Sequence, residues 1–253
     1  MAQTVGQLLE LLKGIAPLEL AEEWDNVGLL AGRPDMPVET VLCALDLNLR
    51  VLDEAVGKGA QLIVTHHPIL FRGRKNLRED DAEGRLLCGL VRSGMAMIAM
   101  HTNYDNARPG VNDALAERLG LSDVQALENG MRLGTVEAAS FQEFADFAET
   151  RLGGPIRRYG SPGRQVCRVA VLGGAGEDYI PQAMAAGAEV YLTGEAAYHK
   201  ALDASDNGLC VLEAGHAATE LPGILALGKA LQNAADAVQY NVRVLNSEAG
   251  LFL

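Results

Sequence analysis

The stretch VETVLCALDLNLRVLDEAVGKGAQLIVTHHP, residues 38–68, decides the fold. Val38 to Leu45 is a short apolar run that ends at Asp46. LRVLDEAVGKGA then places its apolar residues at helical intervals and closes on Gly57 or Gly59, and QLIVT is a second apolar run. Two short runs joined by one amphipathic helix predict a β-α-β unit with parallel strands. After a polar loop the pattern continues: LLCGLVRSG is helical, MAMIAMH reads as a third strand, and NYDNARPG leads into a helix over 112–119 closed by Gly120. Upstream, Thr4 stands three residues before Gln7 and ahead of Leu8, Leu9, Leu12 and Ile15, a capping box that predicts a helix from Val5 to Lys13. EEWDNVGLLAGRPD mixes turn formers with the only tryptophan and predicts an ordered loop.

The second half repeats this grammar. Arg132 to Ala138 reads as a strand, and Ser140 with Glu143 caps a helix that carries Phe141, Phe144, Ala148 and Leu152 before Gly153 and Gly154. CRVAVLGGAG is a strand and glycine turn, EDYIPQAMAAGA a helix, EVYLTGE a strand, AAYHKALDASDNG a helix, and LCVLEAGH a strand leading to a final helix from Gly223 to Ala234. VLCALDL therefore pairs with RVAVLGG, GAQLIVTHH with GAEVYLTGE, and AMIAMHTNYD with LCVLEAGHAATE. The expectation is two related α/β lobes made by internal duplication, 1–126 and 127–253, each a mostly parallel sheet flanked by helices.

Composition narrows the class. The 253 residues, 49% hydrophobic, can bury a substantial core, and 33 acidic against 21 basic residues give a net charge of −12 that argues against broad nucleic-acid binding. The longest uncharged stretch, Gly59 to Phe71, contains two histidines and falls short of the roughly 20 apolar residues of a membrane helix. The first residues lack the basic region and cleavage site of a signal peptide, and four dispersed cysteines form no C-x-x-C pair. A cytoplasmic protein with free buried thiols is expected.

Ligands of open α/β sheets gather beyond the carboxyl ends of strands. Four of the five histidines map there: His66 and His67 after the second strand, His101 after the third, and His216 after the last strand of the second lobe, whereas His199 falls in a helix. This concentration predicts a metal centre, since neutral imidazole is the commonest protein metal ligand. His66 and His67 can serve two ions because Pro68 turns the chain at the strand end. His216 and Glu220 are spaced to share a helix face, and Asp105 lies four residues past His101.

Taken together, WDNVGL (24–29), THHP (65–68), HTNYD with PGVND (101–113), TGE (193–195) and GHAATE (215–220) resemble the Nif-three-like family, also called dinuclear metal centre hexameric proteins and labelled type 2 GTP cyclohydrolase I. The similarity runs from about Leu18 to Leu231. It implies two metals in a cleft between the lobes and a toroidal homohexamer. By motif, the ligands would be His66, His67, Asp105, His216 and the bridging Glu220, with His101 behind them holding Asp105 or a water. Some members carry a second histidine or an aromatic where this chain has Ala217, and no extra domain interrupts this chain. Trp24 is expected to pack beneath the cleft while Asp25 and Asn26 fix a turn; Glu195 is either a proton carrier or a helix cap.

Histidine and carboxylate ligands without thiolate suit zinc, iron, manganese or nickel. Two such ions would make the cleft a local sink for an anionic substrate despite the global charge, and hydrolysis by metal-activated water is the reaction they best support. The family label implies attack at C8 of the guanine ring of GTP, ring opening and formate release. Arg72, Arg74, Lys75 and Arg78 form the densest basic patch and are candidates for a triphosphate, or else a solvated loop or subunit contact. The competing class is a metal-binding oligomer that handles metal or regulates with little turnover. LGGAG (172–176) is an incomplete dinucleotide fingerprint, explained by a strand-to-helix turn.

Overall fold

In the computed structural model, which describes residues 3–249, Thr40–Ala44 and Leu62–Thr65 are neighbouring parallel strands joined by the helix Leu49–Gly57. Ala96–Ala99 pairs parallel with Leu62–Thr65 on the other side. The complete five-stranded order is Arg243–Asn246, Thr40–Ala44, Leu62–Thr65, Ala96–Ala99 and Gly28–Ala31, with only the last strand antiparallel. Leu42, Ala44, Ile63 and Met97 bury one face of this sheet against Val51, Leu52 and Ala55 of the connecting helix and Leu90 of the helix Ala82–Ser93. Val41, Leu62, Val64 and Ile98, which alternate with them, are also fully buried. Burial on both faces is why these strands read as unbroken apolar runs.

Local signals set the helix starts. Thr4 Oγ1 accepts from the Gln7 amide while Gln7 Oε1 accepts from the Thr4 amide, and the helix Val5–Ile15 begins there as expected. Asn48 Oδ1 caps Leu49–Gly57 through the Val51 amide, and Asp81 Oδ1 caps Ala82–Ser93 through the Gly84 amide. The segment expected to be a loop holds the edge strand Gly28–Ala31. A four-residue strand that begins at Gly28 and is followed by Gly32, both at positive φ, is too short for periodicity to show.

The second sheet runs in the order Ser122–Ala126, Arg132–Ser140, Gln165–Ala175, Val190–Glu195, Cys210–Glu213 and Arg157–Tyr159. Its three central strands are parallel, but the other three pairings are antiparallel, so this sheet is mixed rather than mostly parallel. Val169, Val171, Val190, Leu192 and Leu212 pack with Phe141, Phe144 and Ala148 of the helix Phe141–Leu152, which starts at its expected Ser140 and Glu143 capping box. Ala170, Leu172, Tyr191 and Val211 face the opposite layer with Ile180, Ala183, Ala201 and Ala204. The strands matched between the two halves occupy matching places: each half has three sequential parallel strands, and the third has an antiparallel neighbour.

The chain divides differently from the expected 1–126 and 127–253. One compact unit ends at Arg108 and resumes at Ile224; the other is Pro109–Gly223. Two packing facts explain this. Leu115 and Ala116 of the helix Val111–Arg118 belong to the core around Phe141 and Val169, and the late strand Arg243–Asn246 pairs beside Thr40–Ala44. The last long helix starts at His216, seven residues before the expected Gly223, and runs to Ala237 with Pro222 inside it. Pro222 and Gly223 hid that earlier start, because both read as helix breakers. The thiols are all free, but only Cys43 and Cys210 are buried; Cys88 and Cys167 are partly exposed. No helix among the described residues is long and apolar enough to cross a membrane.

PGVND has a structural task in the second unit. Arg132, 1% exposed, donates from Nε and Nη2 to the two oxygens of Asp113, at 3.0 and 2.7 Å, and Asp113 also accepts from the Gly110 amide. Asn112 Oδ1 accepts from the Gly173 amide at 2.7 Å, tying the same helix to the strand Gln165–Ala175. Removing one partner of a buried ion pair leaves the other charge stranded. Asp113→Ala should therefore lose about 3–5 kcal/mol in chemical denaturation, and a loss below about 1 kcal/mol, the range of a surface pair, contradicts this reading.

Glu54 fixes the chain after the last strand. Burial opposes its ionisation, but hydrogen bonds from Lys58, Ser247 and the amides of Glu248 and Ala249 outweigh it and hold its pKa at about 2 against an ordinary 4.5. With the folded value depressed, this stabilisation is complete above the unfolded pKa and disappears as pH falls toward about 2. The stability difference between wild type and Glu54→Gln should thus be constant near neutrality and shrink between about pH 4.5 and 2. A difference that does not shrink in acid unfolding would exclude the role.

Candidate metal centre

The first unit brings His66, His67 and His101 together. Strand pairing sets the first two: the His66 amide donates to Ala44 O and the His67 amide to Leu45 O, continuing the ladder past Thr65, while Thr65 Oγ1 donates to His67 O. His101 follows Ala96–Ala99 and heads the short helix Thr102–Asn106, its carbonyl accepting from the amides of Tyr104 and Asp105. Ligand nitrogens of the three histidines lie within 4.8 Å of one another, and the His66 ring is 5.0 Å from His67 and 5.1 Å from His101.

Each of these rings is held by Nδ1. His66 Nδ1 donates to Met100 O at 2.9 Å, His67 Nδ1 to Asp46 Oδ1 at 2.8 Å, and His101 Nδ1 to Asp25 Oδ1 at 2.9 Å. A carbonyl or carboxylate oxygen can only accept, so the proton of a neutral ring sits on Nδ1 and the lone pair on Nε2. Asp105 Oδ1 stands 3.6 Å from His66 Nε2. Lone pair against carboxylate is repulsive unless a proton or cation lies between them. This donor set fits a divalent ion.

Asp25, expected only to fix a turn, is the carboxylate behind His101. Its side chain is fully buried and also accepts from the Thr102 amide and hydroxyl. Burial opposes its charge, but the bonds from His101 and Thr102 prevail and hold the carboxyl far below the usual carboxylate range. Asn26 Nδ2 donates to Leu70 O at 2.7 Å, joining two loops. Trp24 departs from expectation: it is 60% exposed rather than packed beneath a cleft. A sequence shows that Trp24, Asp25 and Asn26 adjoin each other, but not that Asp25 meets a residue 76 positions later.

The second unit contributes His216 and Glu220. One turn of helix brings His216 Nε2 to 3.2 Å from Glu220 Oε1, and Glu220 is 4% exposed. His216 Nδ1 donates to Glu195 Oε1 at 3.0 Å, so Glu195 orients this ring and is not a cap on the following helix, whose first amides it does not accept from. Gly174, at φ +69°, clears the space: a Cβ there would come within 2.5 Å of Glu220 Oε1 and 3.3 Å of His216 Nε2. The Gly174 amide donates to Thr219 Oγ1. LGGAG thus makes room for an acid and an imidazole, a role that its turn-forming residues did not disclose.

The basic patch is partly neutralised by its own loop. Arg74 is forked by Asp81 and Glu83, and Arg78 pairs with Asp80, whereas Arg72 and Lys75 are exposed. His199 lies in the helix Tyr198–Asp206 with its ring against Tyr198, and it belongs to neither group of candidate ligands among the described residues.

Known proteins resemble this chain over nearly its whole length. The chain is 29% identical to a "GTP cyclohydrolase 1 type 2 homolog" of Clostridium acetobutylicum over 98% of this chain and 97% of that one, and 38% identical to a homolog of the same name from Streptomyces coelicolor over 86% and 82%. Among solved structures, a Bacillus cereus protein related to NIF3 is similar at a TM-score of 0.93 and 26% identity, covering 98% of this chain and 97% of that one. Reduced HcgD from Methanocaldococcus jannaschii reaches 0.84 at 28% identity over 98% and 99%. With its sequence matching from residue 3 to residue 250, the chain belongs to the Duf34/NIF3 (NGG1p interacting factor 3) family.

Proposed function

We propose that His66, His67, Asp105, His216 and Glu220 ligate two divalent ions, drawn from zinc, iron, manganese or nickel, and that the protein is a metal-dependent hydrolase acting as a homohexamer. The observation that carries this reading is the shared Nδ1 anchoring of four imidazoles, which leaves every Nε2 as a donor of fixed direction. Two bound ions would supply Lewis acidity and an acidified water for attack on an electrophilic carbon or phosphorus.

The protein's own groups divide the remaining work. Asp46, Asp25 and Glu195 hold the rings of His67, His101 and His216. His101, fixed on its Nδ1 side, presents Nε2 beside His66 and His67 and is placed to hold a proton at that atom during turnover. Arg72 and Lys75 are the side chains of the basic loop left to meet a phosphate, since the carboxylates beside Arg74 and Arg78 compete for those guanidiniums. GTP is the substrate favoured by the names of the relatives, with opening of the purine imidazole ring and release of formate as the reaction.

Metal analysis after extensive dialysis should show two ions per wild-type chain, fewer in His67→Ala and Glu220→Ala, with the glutamate change affecting both ions, and wild-type content in His199→Ala. Unchanged occupancy in the first two variants would exclude the ligand assignment. Light scattering should give a mass near six times the 26.8 kDa chain. Metal-loaded protein should release formate from GTP, or phosphate or alcohol from generic esters; background rates with all of them, together with tight metal retention, would replace the hydrolase with a metal-handling or regulatory protein.

A further inference from the structure

The ion pair of Asp113 does not account for its neighbour. Asn112 stands in the first turn of the helix Val111–Arg118 and is 1% exposed. The Gly173 amide can only donate, so the carboxamide atom 2.7 Å from it is the acceptor Oδ1, and the NH2 group points elsewhere. Nδ2 is shut off from solvent and reaches no acceptor among the described residues. A buried donor of this kind is destabilising unless something accepts from it. The tie to Gly173 uses the oxygen alone, and the NH2 group calls for a partner of its own.

Gly173 shows what lies within reach. A Cβ built there would stand 3.6 Å from Asn112 Oδ1, 3.2 Å from Glu220 Cγ and 3.5 Å from Thr219 O, so the carboxamide and the Glu220 side chain border one point. Glu220 is 4% exposed, and its Oε1 is the oxygen set 3.2 Å from His216 Nε2. A carboxylate offers more lone pairs than a carbonyl and makes the stronger bond with an N–H, which favours Glu220 over Thr219 O as the acceptor. Each anchored imidazole is held by an accepting oxygen; a ligating carboxylate needs the reverse, a donor. We propose that Asn112 is a positioning residue for Glu220, its Nδ2 donating to the second carboxylate oxygen through one water or after a small side-chain shift, and so fixing the direction in which Oε1 meets a metal ion. The backbone serves the same end. The Gly174 amide donates to Thr219 Oγ1 at 3.1 Å, so the helices that carry Asn112 and Glu220 each receive one of the two consecutive glycine amides in the irregular end of the strand Gln165–Ala175. This inference deepens the metal-centre reading and rests on it for the effect on ions; the contact itself is read in metal-free protein.

Asn112→Asp separates the two ends of the carboxamide: it keeps an oxygen for the Gly173 amide and removes only the NH2 donor. Added negative charge would by itself strengthen the hold on a cation, so a weaker hold reports the missing donor. In zinc titrations against a chromophoric chelator, Asn112→Asp and Asn112→Ala should both bind about 10- to 100-fold more weakly than wild type, the usual cost of removing a group that holds a ligand, with the solution mass of the wild type. A residue that only tied down Gly173 would keep its effect in Asn112→Asp. Wild-type affinity in that variant, with or without a loss in Asn112→Ala, would therefore overturn the proposal. High-resolution crystals of the metal-free wild type read the contact without any variant. Nδ2 should lie within hydrogen-bond reach of Glu220 or share one ordered water with it, and Nδ2 bonded instead to Thr219 O or to another acceptor would also overturn the proposal. If the contact is present but Glu220→Ala retains both ions, the reading of Glu220 as a metal ligand fails alone.

Discussion

The bond from histidine Nδ1 to an oxygen acceptor is the constraint on which the functional arrangement rests. An unanchored imidazole rotates about its side-chain bonds and exchanges tautomers, and its lone pair has no fixed direction. Here Met100 O, Asp46, Asp25 and Glu195 each remove that freedom for one ring. Three of the four acceptors are carboxylates, whose charge strengthens the bond that fixes the ring. The acids and imidazoles are thus organised in pairs by the protein's own hydrogen bonds.

Backbone geometry supplies the positions that these pairs need. Parallel strands end together, so residues that follow Thr40–Ala44, Leu62–Thr65 and Ala96–Ala99 emerge at one edge of the sheet, and Asp46, His66, His67 and His101 are those residues. In the second unit the same rule places Glu195 and His216 after parallel neighbours, and the bulge in Gln165–Ala175 with Gly174 at positive φ opens space for Glu220. Bulk at Gly174 would displace the carboxylate itself. An acidic chain with a net charge of −12 can still attract an anion at such a place, because divalent ions would dominate the local field over distances shorter than the Debye length of about 8 Å at physiological salt.

Asp25 links this arrangement to the exposed aromatic pair. The same short segment sends one carboxylate inward to His101 and one indole outward beside Phe71, with Asn26 bracing the turn between them. Movement of the segment would disturb the orientation of His101 and the aromatic pair together. The basic loop behaves differently: Arg74 and Arg78 spend their charge on neighbouring acids, which suits stabilisation of the loop more than capture of a distant phosphate.

Periodicity and capping were legible in the order of residues because they depend on neighbours within about one helical turn. The helices at Val5 and Phe141, the buried parallel strands, and the placement of His66, His67, His101 and His216 at strand ends all follow from such local information. Elements with few residues or with breakers inside them escaped it: the edge strand Gly28–Ala31, the antiparallel margins of the second sheet, and the start of the long helix at His216. Tertiary structure alone returned Arg243–Asn246 to the first sheet, set Asp25 against His101, turned Glu195 toward His216 and left Trp24 in solvent. Each of these is a meeting, or a missed meeting, of side chains separated by many residues, and it is settled by packing and hydrogen-bond competition across the folded chain rather than by the preferences of any segment.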